Sequence, residues 1–326
     1  MPSVTKRHRA AALATGLVLV LAACGGADAG SGNDSDAGSG ETGSSLSGTI
    51  QIDGSSTVAP LSEAAAELFQ EENPDVRVVV GTSGTGGGFS KFCAGETDIS
   101  DASRPIKDEE AALCAENGIS FEEVTVANDG LAVVVSTQND FAECLTIEQL
   151  NAIWMPDSTV NNWNKVDPSF PDVPLALFGP GTDSGTFDYF TEEIDGESGA
   201  SRTDFQPSED DNFIVQGVQG ARGGMGYFGL SYVEENEGAI KAVEIDGGEG
   251  CVEPNAETVI GGDYSPLGRP LFIYASDKAI ARPEVQAFLD FYIENDTEIA
   301  EQALFIGLSD EQRTESEKKV ASLTGG

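Results

Sequence analysis

Three short stretches of glycine and hydroxyl residues each stand between a strand-like run and a helix-like run: Gly54-Ser55-Ser56-Thr57, Gly84-Thr85-Gly86-Gly87-Gly88 and Ser184-Gly185-Thr186. A repeated strand–turn–helix unit predicts an α/β protein with largely parallel sheets. Open sheets of that kind receive ligands at the carboxyl ends of their strands, which is where all three stretches fall. At a helix start the first N–H groups have no partner within the helix, and the dipole adds partial positive charge. Serine, threonine and glycine are also ordinary caps and turn formers, so one stretch alone carries little. Three together favour a site that holds a small oxyanion by hydrogen bonds.

The alternation extends along most of the chain. Strands are expected at 49–53, 76–80, 98–100, 174–178, 225–228, 239–245 and 270–275. Helices are expected at 61–71, 89–93, 108–116, 147–154, 186–194, 213–219, 283–292 and 297–306. Residues 123–136 read as a strand pair or one bent strand, broken at Asn128-Asp129-Gly130. A surface loop rich in Pro and Asn covers 161–174, with Trp154 and Trp163 as its packing anchors. No internal repeat of fixed period is visible.

The first fifty residues are of another kind. Lys6, Arg7 and Arg9 precede an apolar run over 10–23 that ends Leu21-Ala22-Ala23-Cys24. A basic start, a short hydrophobic core and small residues before the cut predict a secretory signal peptide over 1–23. The run is too short for a confident transmembrane helix. Leu-Ala-Ala-Cys resembles a bacterial lipobox, which implies that Cys24 becomes the lipidated N-terminus and tethers the protein without spanning the membrane. Residues 24–47, dominated by Gly, Ser, Asp and Ala, predict a flexible tether. The folded part starts near 48 and is long enough for one large or two medium domains.

Charge and histidine usage narrow the chemistry. The chain has 17 basic and 56 acidic residues, a net charge of −39; without residues 1–23 it loses three basic groups and becomes 14 against 56, or −42. Such a field disfavours nucleic acid and anionic lipid surfaces. It also repels small anions at long range, so an anion site here has to act through short-range contacts. The one histidine, His8, lies in the signal. The exported chain therefore has no Ser-His-Asp or Cys-His catalysis and no His-based metal site. Asp183-Ser184-Gly185 resembles a serine-protease nucleophile environment, yet nothing is present to activate Ser184.

Four cysteines follow Cys24, and an even count in an exported protein predicts two disulfides with three connectivities. Cys93–Cys114 and Cys144–Cys251 are preferred, the first closing a helix-strand-helix stretch and the second tying two parts of one lobe. A Cys-only metal site needs tighter paired spacings, so no metal is expected. The 84–88 run matches no nucleotide loop, and no cofactor is expected. Arg104, in Ala102-Ser103-Arg104-Pro105, follows a strand in a chain poor in cations. It reads either as a surface arginine or as a guanidinium forked onto an oxyanion. Arg222 is a weaker candidate of the same kind.

Four segments carry a family resemblance: Asp53-Gly54-Ser55-Ser56-Thr57-Val58-Ala59-Pro60, Gly84-Thr85-Gly86-Gly87-Gly88-Phe89, Asp98-Ile99-Ser100-Asp101-Ala102-Ser103-Arg104-Pro105 and Gly179-Pro180-Gly181-Thr182-Asp183-Ser184-Gly185-Thr186-Phe187. In this order, from about 48 to 306, the chain resembles the PstS-type phosphate-binding proteins of bacterial phosphate ABC transporters. The lipobox and tether match the form such receptors take in Gram-positive bacteria. The resemblance implies a two-lobed periplasmic-binding-protein (type II) fold, each lobe a mainly parallel sheet flanked by helices. Lobe 1 would comprise 48–130 plus 268–326, and lobe 2 would comprise 131–267. Phosphate would sit in the cleft between them, and hinge closure would present the closed form to a membrane permease.

Contacts carried over by position are Ser56, Thr57, Thr85, Ser184, Gly185 and Thr186. In the best-known branch an acidic residue stands at the position of Ser103 and an arginine at that of Pro180. This chain has neither, but places Arg104 beside Ser103. Ser103 and Arg104 are therefore added to the candidate set, with Asp101 or Asp183 as replacement proton acceptor. The expected protein is an extracytoplasmic, lipid-anchored, monomeric receptor that feeds an ABC importer and catalyses nothing. Its rivals are a receptor for sulfate, molybdate or another oxyanion, a secreted phosphate-ester hydrolase, and a surface adhesin on the same fold.

Overall fold

The computed structural model describes residues 46–323 apart from Asp183 and Glu237. The signal expected at 1–23, the lipidated Cys24, nearly all of the tether and Asp183 lie outside the described residues. Among the described residues no helix is long and apolar enough to cross a membrane.

Strand and helix alternate from the start: β1 (Gly48–Gly54), α1 (Ala59–Glu72), β2 (Val76–Gly81), α2 (Thr85–Cys93), β3 (Ile99–Ala102) and α3 (Asp108–Glu116). In α1, Pro60 occupies the first turn, where no N–H is needed, and Leu61, Ala65 and Phe69 recur on the buried face. The sequence places the second helix at 89; the structure begins it at Thr85, so Gly86, Gly87 and Gly88 lie inside α2. Close approach is the reason. A Cβ on Gly88 would stand 2.5 Å from Gly54 Cα and 2.8 Å from Ser100 Oγ, so a side chain there would push α2 off β1 and β3.

A strand of 16 residues follows, β4 (Phe121–Ser136). Next come β5 (Cys144–Thr146), α4 (Ile147–Trp154), α5 (Trp163–Val166), β6 (Ala176–Gly179) and α6 (Gly185–Asp195). Thr146 and Gln149 cap α4 reciprocally, each side chain taking the other's N–H. Both tryptophans are fully buried, and Trp163 Nε1 donates to the Gly223 carbonyl at 3.1 Å. They are packing anchors, and the 161–174 loop encloses the short α5. The chain continues through β7 (Gln206–Pro207), α7 (Asp211–Gly220), β8 (Gly224–Gly229), α8 (Ser231–Glu235), β9 (Ile240–Ala242), β10 (Glu244–Asp246), β11 (Cys251–Val252) and α9 (Ala256–Gly261).

The last part comprises β12 (Gly268–Ser276), α10 (Asp277–Ile280), α11 (Pro283–Glu294), α12 (Asp296–Gln302) and α13 (Asp310–Leu323). The helix expected to reach 306 stops at Gln302, because Leu304 turns the chain with φ +61° and Ile306 then bridges to Asn128. The closing α13 has no counterpart in the sequence reading. It buries only Ser316 and Val320, too few positions to write an apolar stripe.

The strands form a nine-stranded sheet in the order β2-β1-β3-β12-β4-β8-β6-β7, with β9 also on β4, and a separate sheet β11-β10-β5. At one end β1 lies parallel to β2 and β3, and at the other β6 lies parallel to β7 and β8. The long strands β4 and β12 run antiparallel through the middle. Asn128-Asp129-Gly130 does not break β4: the strand pairs β12 up to Gly130 and β8 from Leu131 onward. Asn128 faces Pro270, which has no N–H to offer it; instead Asn128 exchanges hydrogen bonds of 2.7 and 3.0 Å with Ile306. The hydrophobic core follows this handover. One cluster is drawn from Leu131 to Leu267, and two others come from residues on either side of that span. Disulfides join Cys93 to Cys114 and Cys144 to Cys251, the preferred pairing of the three.

Candidate functional site

The carboxyl ends of β1, β2 and β6 deliver the three glycine and hydroxyl stretches to the starts of α1, α2 and α6. After β1 the chain turns at Gly54, φ +154°, and Ser55 N–H donates to the Asp101 carbonyl at 2.9 Å. The buried Ser55 hydroxyl oxygen then accepts the Thr57 N–H at 3.2 Å. That leaves Ser56 exposed and Thr57 half-buried at the mouth of α1. After β2, Asp53 straps down the next turn: it accepts from Ser83 N–H and Oγ and from Lys91 Nζ, the last at 2.6 Å. Burial raises the Asp53 carboxyl, but these donors outweigh it and hold the group below its ordinary range. Neither α1 nor α2 has a side-chain cap at its N-terminus. In α1 the first turn is satisfied from within, Ala59 N–H donating to the Ser55 carbonyl and Leu61 N–H to the Val58 carbonyl while Pro60 has none. Of these two helices it is therefore α2 that keeps leading N–H groups for something outside the protein. α6 differs, because Ser184 Oγ accepts the Thr186 N–H at 3.2 Å.

A cavity of about 580 Å³ opens where these ends meet. Ser56, Thr57, Thr85, Ser103, Arg104 and Gly185 line it; Ser184 and Thr186 stand at the same helix end without reaching the lining. Thr85 Oγ1 and Ser103 Oγ are 3.1 Å apart, which links α2 to the segment after β3.

The charged groups are placed less as the sequence suggests. Arg104 lines the cavity, but its fork is taken by Glu110, with Nη1–Oε2 and Nη2–Oε1 both at 2.9 Å. Hydrogen bonding to Glu110 raises the Arg104 pKa further. Burial pushes Glu110 up, but Arg104 and the Lys107 N–H bring it below the usual carboxylate range. Asp101 faces away from the cavity: it is fully buried, with Oδ1 accepting from Ser62 Oγ at 2.8 Å. Strand alternation turns it into the core beneath the site. Arg222 lies elsewhere, exposed and paired with Asp140 at 3.1 Å.

Sequence reasoning passed over two features of the lining. Arg269, the second residue of β12, reaches the cavity, as do Asp188, Tyr189, Glu192 and Glu193 along α6. Arg269 stacks on Tyr189 with Cζ 3.3 Å from the ring centroid. Burial raises the Glu193 carboxyl, partly offset by Arg269. The available signal was a lone arginine opening an apolar strand, Arg269-Pro270-Leu271-Phe272-Ile273, in a chain with few cations.

The lining offers hydroxyls, the helix-end amides of α2 and the cations Arg104, Lys107 and Arg269 to an anion, with carboxylates on α6. Among the described residues the one grouping of metal-ligand type is Cys144, Glu244 and Cys251. Its two sulfurs are bonded to each other and supply no thiolate.

Comparison with known proteins agrees with this geometry. Residues 39–296 match the PBP superfamily domain. The chain is 39% identical over 314 residues to the phosphate-binding protein PstS of Staphylococcus saprophyticus, covering 96% of this chain and 93% of the relative. It is 47% identical over 262 residues to protein SphX of Synechococcus elongatus, covering 79% and 77%. A crystal structure described as a possible phosphate binding protein from Planctomyces limnophilus superposes with a TM-score of 0.82 at 46% identity, covering 86% of this chain and 99% of that one.

Proposed function

The chain belongs to the PstS family of phosphate-binding proteins within the PBP superfamily, and on that premise we propose that it captures inorganic phosphate and delivers it to an ABC importer. The observation that carries this reading is the convergence of three strand–helix turns on one cavity, two of them at helix ends with no side-chain cap. Of the two, the start of α2 offers a compact anion several N–H groups at once, and the turn into α1 adds its Ser56 and Thr57 hydroxyls. Ser56, Thr57, Thr85 and Ser103 would act from lobe 1 (48–130 plus 268–326). Ser184, Gly185 and Thr186 would act from lobe 2 (131–267), with Arg104 on the wall. Closure of the lobes would bury the ligand and create the surface that a permease recognises.

The protein is proposed to be exported by the signal at 1–23 and held outside the membrane as a monomer by lipid on Cys24. It would catalyse no reaction and need no metal or cofactor. Calorimetric titration of the purified protein with phosphate, arsenate, sulfate and molybdate tests the ligand. Phosphate should bind most tightly, and saturable sulfate or molybdate binding with none for phosphate would refute the reading. Hydrolysis of a chromogenic phosphate ester that disappears in Ser184→Ala would replace it with an enzyme. Incorporation of a palmitate analogue, lost in Cys24→Ala, tests the anchor.

A further inference from the structure

We propose that Arg269, rather than Arg104, is the cation that contacts the bound oxyanion. The proposal rests on the phosphate-receptor reading and names the residue that neutralises the ligand's charge.

The two arginines differ in what they already hold. Arg104 is engaged along its Nη1–Nη2 edge by Glu110, and its Nη1 also donates to the Pro105 carbonyl at 3.1 Å. Its charge is met by Glu110 at 2.9 Å, and its Nη1–Nη2 fork is taken up by those two short bonds. Arg269 donates Nη1 to the Ser103 carbonyl at 3.1 Å. Its two contacts to Asp129 Oδ2, from Nε and Nη2, are both 3.4 Å, beyond the normal length of an N–H···O bond. A guanidinium has five N–H donors. These contacts use three of them, two only weakly, on a side chain that lines the cavity and is 15% exposed.

Its surroundings hold the group in place. Asp129 lies in β4 beside the strand handover, Ser103 follows β3, and the Tyr189 ring covers the guanidinium from α6. Tyr189 is itself fixed, its hydroxyl donating to the Pro266 carbonyl at 2.6 Å. Tyr189 also follows Gly185 by four residues, so the helix that brings Gly185 to Thr57 presses the aromatic face onto Arg269. A guanidinium clamped between a ring and a carbonyl keeps its fork oriented, and that planar fork matches two oxygens of a tetrahedral anion. Dense net negative charge elsewhere makes such a short-range cation necessary.

The test is phosphate calorimetry on wild type, Arg269→Ala, Arg269→Lys, Arg104→Ala and Arg222→Ala, with thermal unfolding of each. Arg269→Ala should weaken binding about 10- to 100-fold, the scale of a hydrogen bond to a charged group. Arg104→Ala should lose less, and the remote Arg222→Ala should match wild type. Arg269→Lys keeps the charge but not the fork; it should fold and still lose affinity, which covers the case in which Arg269→Ala does not fold. Arg269 variants that melt lower yet bind phosphate as wild type does would overturn the proposal, as would a greater loss in Arg104→Ala. Wild-type protein that takes up no phosphate would refute the receptor reading itself, a separate result.

Discussion

Thr57 and Gly185 touch across the site: a Cβ built on Gly185 would lie 3.0 Å from Thr57 Oγ1 and 3.5 Å from the Thr57 nitrogen. The start of α6 thus rests directly on the turn that leads into α1. Gly185 has no conformational need to be glycine, since it is absent from the positive-φ residues; contact is what excludes a side chain.

Replacing Gly185 by valine should therefore hold the two helix ends apart. Overpacking of this kind costs about 1–3 kcal/mol, so phosphate affinity should fall about 5- to 150-fold. The unliganded protein should also melt lower than wild type, because the contact is already made without ligand. Calorimetry paired with thermal unfolding checks this, and unchanged affinity would show that the contact is irrelevant to binding.

Asp101 makes stability depend on pH. Full burial pushes its carboxyl up to about 7, Ser62 pulls it down, and the charges of Asp53 and Glu63 push it up again. A folded pKa above the unfolded value means that the folded state holds the proton more tightly. Its contribution is complete below the unfolded value of 3.8 and is lost as pH rises through about 7. Asp101→Asn should gain on wild type progressively across that window. Urea unfolding at about pH 5 and about pH 8 measures the gap, and a gap of equal size at both would contradict the assignment.

Asp188 is the carboxylate nearest the start of α6 that lines the cavity. Phosphate at neutral pH still carries a proton to donate and sulfate carries none, so a carboxylate in the site favours one and repels the other. Asp188→Asn should narrow the phosphate-to-sulfate affinity ratio by about 10-fold, the scale of one buried charged hydrogen bond. Competition titrations would show it. An unaltered ratio would move the acceptor role to another group.

The Cys93–Cys114 disulfide ties α2, which carries Thr85, to α3. Replacing both cysteines by alanine should lower the unfolding free energy by roughly 2–4 kcal/mol. Urea denaturation reads this, and an unchanged midpoint and slope would mean that packing around Phe89 and Phe92 suffices without the bond.

Local signals were legible where local physics sets them. Pro60 marked the first turn of α1, Asn117-Gly118 ended α3, and valines wrote β2, because turn chemistry and side-chain periodicity act over a few residues. The glycine run over 84–88 was legible as special but not as helix, since the strand surface that demands glycine there belongs to β1 and β3. α13 left no trace, having almost no buried face. At the site the hydroxyls were readable for the same local reason. Arg104 looked like the free cation only because Glu110, six residues on, cannot be seen to fold back onto it.

The order of residues alone determined the α/β class, two disulfides whose pairing it left among three, and a chemistry of hydroxyls and amides without histidine. Tertiary structure alone decided which cavity-lining arginine is held by short bonds to a carboxylate and which by long ones, and it turned Asp101 into the core. The reason is physical: hydrogen-bond propensity is written in neighbouring residues, whereas charge neutralisation and burial depend on which distant segments the sheet brings within a few ångströms.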